Sequence, residues 1–251
     1  MAPALVVAFL GGLGLGSFVT VVGYRVPRGE SVVGGRSHCP GCGTQIAAYD
    51  NVPVLSWVLL RGRSRCCGER ISPRYPLTEL ALGLLFVATV TVFWDEPAEI
   101  ALGLVFVTTL VAITLTDLEQ RLIPNKILLV AAVAGVAIAV VGDPSSLPER
   151  AIATAAAGGG LFLVALAYPR GMGLGDVKLA AVMGLFLGRN VAPAIFVALL
   201  TGSAVGIFLI ARHGAEARKR AIPFGPFLAI GGVVGLLAGD QLVELYLSTF
   251  S

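Results

Sequence analysis

Long apolar runs separated by short polar segments follow one another along the whole chain. Eight of these runs approach the roughly 20 residues that a helix needs to cross the hydrocarbon core of a bilayer. They cover residues 4–24, 77–93, 100–116, 127–141, 151–168, 177–187, 192–211 and 227–247. The pattern therefore predicts an all-α polytopic membrane protein with about eight transmembrane helices.

The composition supports this prediction and excludes a soluble protein. Hydrophobic residues make up 56% of the 251 residues and charged residues only 13%, and the mean hydropathy is +0.88. A soluble domain contains roughly 25% charged residues, so this chain lacks the charge to cover a water-facing surface. The net charge of +3 is too small to indicate a nucleic-acid partner.

The positive charges predict the orientation in the membrane. All Lys and Arg residues except Arg150 and Arg189 fall in segments 25–76, 117–126, 169–178 and 212–222, which lie on one side if the eight runs alternate. Because cytoplasmic loops carry the excess of Lys and Arg, this side is predicted to be cytoplasmic and both termini to face outward. The first run has no basic residue before it, so we predict a retained span rather than a cleaved signal peptide.

Three parts are predicted: a first transmembrane helix (1–24), a cytoplasmic insert (25–76) and a seven-helix membrane domain (77–251). All four cysteines lie in the insert. Thiols stay reduced in the cytoplasm, which favours a metal site over disulfides. Cys39 and Cys42, in Cys39-Pro-Gly-Cys42, would supply two thiolates to one zinc ion.

The second half of the predicted zinc site is irregular. The sequence Ser64-Arg65-Cys66-Cys67-Gly68 offers Cys67 as a closing ligand but has Ser64 where another thiolate is expected. A serine hydroxyl is a poor zinc ligand, so Cys66, His38 or water would have to complete the site. The alternative is an insert without metal.

Four acidic residues lie at or inside the ends of apolar runs, where a charge is costly and is often functional. These are Glu79, Asp117, Glu119 and Asp176. The predicted topology places Asp117 and Asp176 at the same cytoplasmic depth. Two carboxyls that share one proton can act as base and acid toward a water that attacks a peptide bond.

The residues around Asp176 fit such a role. Gly173 and Gly175 precede it, and glycine permits backbone bends and close approach of a substrate. If Asp176 begins a helix, it also meets the positive end of the helix dipole.

Taken together, these features resemble the type IV prepilin peptidase family of bacterial membrane aspartic proteases. The resemblance covers nearly the whole chain. It is carried by Gly14-Leu-Gly-Ser-Phe18, Tyr24-Arg-Val-Pro27, Cys39-Pro-Gly-Cys42, Asn51-Val-Pro-Val-Leu-Ser-Trp57, Arg61-Gly-Arg63, Ile71-Ser-Pro-Arg-Tyr-Pro-Leu-Thr-Glu79, Asp117-Leu-Glu-Gln-Arg-Leu-Ile-Pro-Asn125 and Gly173-Leu-Gly-Asp-Val-Lys178.

The resemblance implies an enzyme of the bacterial cytoplasmic membrane that cuts the leader from type IV prepilins or pseudopilins after a glycine, on the cytoplasmic face. Asp117 and Asp176 would be its catalytic pair. It also implies methylation of the new N-terminus with S-adenosylmethionine, in which Glu79 is a candidate participant. Ser64 and Thr20 depart from the family's usual cysteine and asparagine.

Further expectations concern the substrate, the lipid and the glycine-rich first run. Asp117, Glu119 and Asp176 would attract a basic leader, with Lys178 partly offsetting them, and the basic cytoplasmic face would contact anionic lipid headgroups. Gly12 and Gly16 are expected to pack helices closely rather than to bind S-adenosylmethionine, because no strand precedes them.

Two other functions remain possible from the residues alone. A proton- or cation-coupled transporter would also use carboxylates at the membrane edge, although it would be expected to have ionisable residues near the bilayer midplane. A proteolytically inactive pilus or secretion assembly factor would keep the fold without needing both aspartates.

Overall fold

The structure is a computed structural model that describes residues 1–32, 37–39, 41–169, 171–214 and 222–249. The helices in this part of the chain are α1 (Ala2–Arg25), α2 (Leu55–Leu59), α3 (Arg74–Val92), α4 (Pro97–Gln120), α5 (Asn125–Gly142), α6 (Leu147–Ala167), α7 (Leu174–Leu187), α8 (Val191–His213) and α9 (Gly225–Ser248). Within the described residues there is no strand beyond the isolated bridges His38–Gln45 and Arg63–Arg70.

Each predicted apolar run corresponds to one helix other than α2, so the all-α membrane fold is confirmed. Seven stretches of the described chain are long and apolar enough to cross a membrane. The number is seven rather than eight because Leu174–His213 forms one stretch, in which α7 and α8 are separated only by the turn Gly188–Asn190. Five basic residues used to predict the orientation lie outside the described residues: Arg36, Arg170, Arg218, Lys219 and Arg220.

The chain divides into two compact units, Met1–Thr91 and Val92–Ser251. In the first unit, α1 packs closely against α3 at two glycines. A Cβ atom on Gly12 would lie 2.7 Å from Cα of Gly83, and one on Gly16 would lie 2.6 Å from Cα of Glu79. The expectation that Gly12 and Gly16 serve helix packing is therefore confirmed.

The second unit contains α4–α9 around a core that α4, α7 and α9 share. Phe106 of α4 stacks on Phe186 of α7, with 5.2 Å between ring centroids. The fully buried side chains of this unit include Leu102, Phe106, Val107, Leu110, Ile113, Leu179, Met183, Phe186 and Leu228. Large apolar side chains on α5, α6 and α8 are exposed, as expected for helices that face lipid.

Small residues bring α6 and α7 unusually close. A Cβ atom on Gly184 would lie 2.5 Å from the backbone carbonyl of Ala153, and one on Gly158 would lie 2.7 Å from Cβ of Ala181. Close packing of this kind is the usual source of helix association where no hydrophobic effect operates between helices. It holds α7, which carries Asp176, in the middle of the unit.

Candidate active site

Asp117 lies in the last turn of α4 and is almost fully buried, with 5% of its surface exposed. The helix continues past the predicted end of the apolar run and stops only at Arg121, whose left-handed backbone (φ 53°) closes the last turn. The buried carboxylate is not without a partner. Its Oδ2 accepts a 2.8 Å hydrogen bond from the backbone N–H of Gly225, the first residue of α9.

Asp176 lies in the first turn of α7 and is partly exposed. Its Oδ2 accepts a 3.1 Å hydrogen bond from the backbone N–H of Gly173, the residue that caps the helix. The expectation that Asp176 meets the positive end of a helix dipole is confirmed by this position. Each aspartate therefore has one carboxyl oxygen held by a glycine N–H.

The two aspartates come from helices, α4 and α7, that are in contact within the second unit. Asp117 lies in the last turn of α4 and Asp176 in the first turn of α7. The structure therefore places the two predicted residues at the ends of two contacting helices in an apolar bundle.

The turn between α4 and α5 supports the start of α7. Gly175 lies against the buried Ile123, to which a Cβ atom at position 175 would approach within 3.0 Å. Lys178 donates a 3.0 Å hydrogen bond from Nζ to Oδ1 of Asn125, the first residue of α5. These contacts fix Asp176 relative to the helix that carries Asp117.

Two roles were predicted for the glycines before Asp176, a backbone bend and the close approach of a substrate. Gly173 has an extended backbone that any residue adopts (φ −79°), and Gly175 is not among the described residues with positive φ. Neither glycine therefore needs its conformational freedom here, and the approach of a substrate stays a prediction. Gly173 leaves room for the Asp176 carboxyl and Gly175 leaves room for Ile123.

The other two acidic candidates lie elsewhere. Glu119 is on the exposed surface of the same last turn of α4 as Asp117. Glu79 belongs to the first unit, where it is buried and its Oε2 accepts a 2.7 Å hydrogen bond from the backbone N–H of Val54. Val54 has a positive φ of 60°, which is strained for a β-branched residue. Glu79 therefore holds a strained turn of the insert in place.

The four cysteines of the insert form one cluster. The sulfur atoms of Cys39, Cys42, Cys66 and Cys67 all lie within 4.8 Å of one another. The shorter separations are 3.2 Å for Cys42–Cys66, 3.5 Å for Cys39–Cys67 and 4.0 Å for Cys66–Cys67. Zinc–sulfur bonds of about 2.3 Å in a tetrahedron place sulfurs about 3.8 Å apart, so the residues fit a zinc ion.

The thiol pKa values also suit a metal site. Hydrogen bonds from the backbone N–H groups of Cys42 and Gly41 lower the pKa of Cys39 to about 6. Hydrogen bonding to Cys42 raises the pKa of Cys66 to about 12. One thiolate is thus ready at neutral pH, while a metal would have to displace the proton from Cys66.

The structure shows that Cys66 completes the cysteine cluster in place of the missing thiolate at position 64. Cys66 belongs to the cluster, whereas the described group of metal-binding side chains does not include His38. The hydroxyl of Ser64 lies 3.2 Å from the sulfur of Cys67. Ser64 therefore occupies the edge of the cluster, and Cys66 supplies the fourth sulfur.

Sequence reasoning missed one residue of the aspartate site. Gly225 contacts Asp117 only through a backbone N–H, which no side-chain pattern can indicate. The one available signal was the pair of prolines, Pro223 and Pro226, that bracket Phe224-Gly225 at the start of the last apolar run.

Two protein-family models match this chain, one in its N-terminal part and one in its membrane domain. Residues 10–93 match the family model described as the bacterial peptidase A24 N-terminal domain. Residues 104–210 match the model described as the type IV leader peptidase family.

Curated relatives cover most of the chain. A prepilin leader peptidase/N-methyltransferase of Aeromonas hydrophila is 38% identical over 226 residues, which is 86% of this chain and 76% of the relative. Proteins of the same name are 34% identical in Bacillus subtilis (strain 168), over 97% of this chain and 98% of the relative, and in Pseudomonas putida, over 96% and 94%. No solved structure matches the chain.

Proposed function

The chain belongs to the type IV leader peptidase family, and on this premise we propose that it removes the leader peptide from type IV prepilins or pseudopilins. Asp117 and Asp176 are the catalytic pair. The observation that carries this proposal is that two acidic side chains, one ending α4 and one beginning α7, lie at the ends of contacting helices in an apolar bundle, and each has one carboxyl oxygen bound by a glycine N–H.

The two glycine N–H groups suggest which carboxyl oxygens of the aspartates act as base and acid. Each aspartate uses Oδ2 to accept an anchoring bond, from Gly225 or from Gly173. The remaining oxygen, Oδ1, faces the reaction. One ionised Oδ1 takes a proton from water, the water oxygen attacks the carbonyl carbon of the leader's last glycine, and the other carboxyl protonates the carbonyl oxygen.

Collapse of the resulting tetrahedral carbon breaks the peptide bond. The carboxyl that accepted the water's proton passes it to the leaving amine, and the other carboxylate takes a proton back from a hydroxyl of the tetrahedral carbon. The pair thus regains the single proton with which it began. No serine or cysteine attacks the carbonyl, so no acyl-enzyme forms. Reagents that modify serine should leave cleavage intact.

The substrate would approach from the cytoplasmic side of the inner membrane. The excess of Lys and Arg in segments predicted to face the cytoplasm supports this orientation. Exposed Glu119 and partly exposed Asp176 would attract the positive charges of a leader, and Lys178 is already engaged by Asn125.

Zinc is proposed from the cysteine cluster, and S-adenosylmethionine is proposed from the names of the relatives. Cys39, Cys42, Cys66 and Cys67 would hold zinc, which would stabilise the fold of the insert. N-methylation of the new terminus is suggested by the names of the relatives. The described residues include no strand followed by a glycine-rich turn, so we assign no residue to the methyl donor.

Mass spectrometry of a prepilin co-expressed with this protein tests both activities in one experiment. Loss of the leader and addition of a methyl group give separate mass changes. We expect leader loss only in cells that carry the protein. A prepilin that keeps its leader, together with ion flux in proteoliposomes, would instead identify a transporter.

A further inference from the structure

The first unit contains a cavity whose charged lining residues are all arginines and whose lining includes neither of the proposed catalytic aspartates. It has a volume of about 440 Å³ and is lined by Trp57, Arg61, Gly62, Arg63, Arg70, Ile71, Ser72 and Pro73. No acidic residue is part of this lining. We propose that this arginine pocket binds the phosphate group of an anionic membrane lipid.

The backbone forces two of the arginines together. Arg63 and Arg70 form an antiparallel bridge. The flanking bonds, from Ser64 N to Glu69 O and from Ile71 N to Gly62 O, are both 2.8 Å long. This pattern makes Arg63–Arg70 a non-hydrogen-bonded pair, the kind in which opposite side chains lie closest. Like charges directly opposite each other destabilise a strand pair unless an anion neutralises them.

Specific contacts and an unusual backbone conformation fix the shape of the pocket. Trp57 donates a 3.0 Å hydrogen bond from Nε1 to the carbonyl of Ile71, which ties the two sides together. A Cβ atom on Gly62 would lie 3.0 Å from the Trp57 ring. Arg61 adopts a left-handed backbone (φ 52°), a conformation that costs energy in a residue with a side chain.

The neighbouring Arg65 has a carboxylate partner, whereas within the described chain no such partner is found for the three arginines of the pocket. Arg65 makes two short hydrogen bonds, of 3.0 and 2.8 Å, to the carboxylate of Asp50. Among the described residues, no ion pair to a carboxylate is found for Arg61, Arg63 or Arg70. Phosphate oxygens are suited to such guanidinium groups because they accept paired hydrogen bonds.

Two features indicate a lipid rather than a dissolved phosphate. The pocket residues Ile71–Pro73 directly precede α3, a candidate membrane span that begins at Arg74. On the other side, α2 ends two residues before Arg61 and exposes Leu55, Val58 and Leu59 by 53%, 57% and 71%. Exposed apolar side chains beside a basic pocket suit the headgroup region of a leaflet that contains anionic lipid.

The same charge argues against the methyl donor as the occupant. S-adenosylmethionine carries a sulfonium cation and an ammonium group beside its single carboxylate, so its net charge is positive. Three unpaired arginines would repel it. The charge of the pocket therefore favours an anionic lipid over the methyl donor.

Fluorescence of Trp57 in the full chain tests the proposal. The chain has two tryptophans, so Trp94→Phe leaves Trp57 as the only reporter. In neutral detergent, we expect dihexanoyl-phosphatidylglycerol to change its emission saturably. Dihexanoyl-phosphatidylcholine and inorganic phosphate should each bind at least about tenfold more weakly. Equal binding of phosphatidylcholine would overturn the charge argument, and equal binding of inorganic phosphate would overturn the lipid assignment.

Charge-removing variants identify the pocket. Arg63→Gln combined with Arg70→Gln should weaken phosphatidylglycerol binding at least about tenfold. Arg65→Gln removes the same kind of charge from the same insert and should change binding less than about twofold. An equal loss with Arg65→Gln would mean unspecific attraction and would overturn the proposal. If the double variant does not fold, Arg61→Gln and Arg70→Gln are tested singly, and unchanged binding in both overturns it.

Discussion

The backbone N–H of Gly225 donates a 2.8 Å hydrogen bond to Oδ2 of Asp117 across 108 residues of sequence. The contact leaves no space for a side chain, since a Cβ atom on Gly225 would lie 2.7 Å from that oxygen. The first residue of α9 therefore sets the position of the carboxyl that ends α4.

Gly225→Ala should slow cleavage because it displaces the Asp117 carboxyl. We expect kcat to fall on the order of tenfold, with KM for the prepilin little changed, since misplaced catalytic groups affect the transition state more than binding. Gly206→Ala is the matched control because a Cβ atom there has no neighbour within 4 Å. Similar kcat values for the two variants would contradict a positioning role for Gly225.

Asp117→Asn and Asp176→Asn should each reduce cleavage by at least about 10²-fold, because an amide can neither accept the proton of water nor share a proton with its partner. The fraction of co-expressed prepilin that loses its leader measures this directly. Asp240→Asn serves as control, since this exposed aspartate pairs with Arg189 away from the site. Normal processing by either catalytic variant would remove the basis for the proposed pair.

Cys66→Ser should lower the zinc content of the purified protein, because Cys66 supplies the fourth sulfur of the cluster. Ser64→Ala should keep the metal, because a hydroxyl is a poor zinc ligand. Zinc measured per chain by inductively coupled plasma mass spectrometry distinguishes the two. Loss of zinc in the Ser64 variant and retention in the Cys66 variant would reverse the assignment.

Gly184→Ala should destabilise the second unit by about 1–3 kcal/mol, because its Cβ atom would lie 2.5 Å from the backbone of Ala153, which cannot yield easily. Gly159→Ala in α6 meets no atom within 4 Å and should be neutral or stabilising by up to about 1 kcal/mol. The unfolding temperatures of the two variants in detergent provide the comparison. Equal unfolding temperatures would show that α6 and α7 can separate without cost.

Arg150→Gln should destabilise by about 3 kcal/mol, since it leaves Glu99 without its buried partner. Arg150 is 6% exposed, and it also donates hydrogen bonds to the carbonyls of Leu185 and Phe186 near the end of α7. Arg189→Gln breaks an exposed pair with Asp240 and should cost less than about 1 kcal/mol. Chemical denaturation of both variants provides the comparison.

The sequence predicted the helices well because each apolar run is long enough to satisfy its own backbone inside a bilayer. It predicted the ends less well. The run that precedes Asp117 stops at the first charge, whereas the backbone hydrogen bonds of α4 continue to Gln120. A charge at the edge of the membrane changes the composition of a helix without ending it.

Two features could not have been predicted from residue type. Arg150 was counted among the charges of an outer loop, yet it is buried in α6 beside Glu99. Gly225 acts through its main chain, and main-chain donors are the same in every residue except proline. In both cases the role depends on which helices become neighbours, which is a property of the whole fold.

The shortness of α7 has a consequence for the depth at which this chemistry takes place. Its 14 residues rise about 21 Å, whereas the hydrocarbon layer of a bilayer is about 30 Å thick. At least one end of α7 must therefore lie beneath the level of the lipid headgroups. Thinner bilayers reduce this mismatch, so the acyl-chain length of the surrounding lipid becomes a variable that governs how far the ends of α7 lie beneath the headgroups.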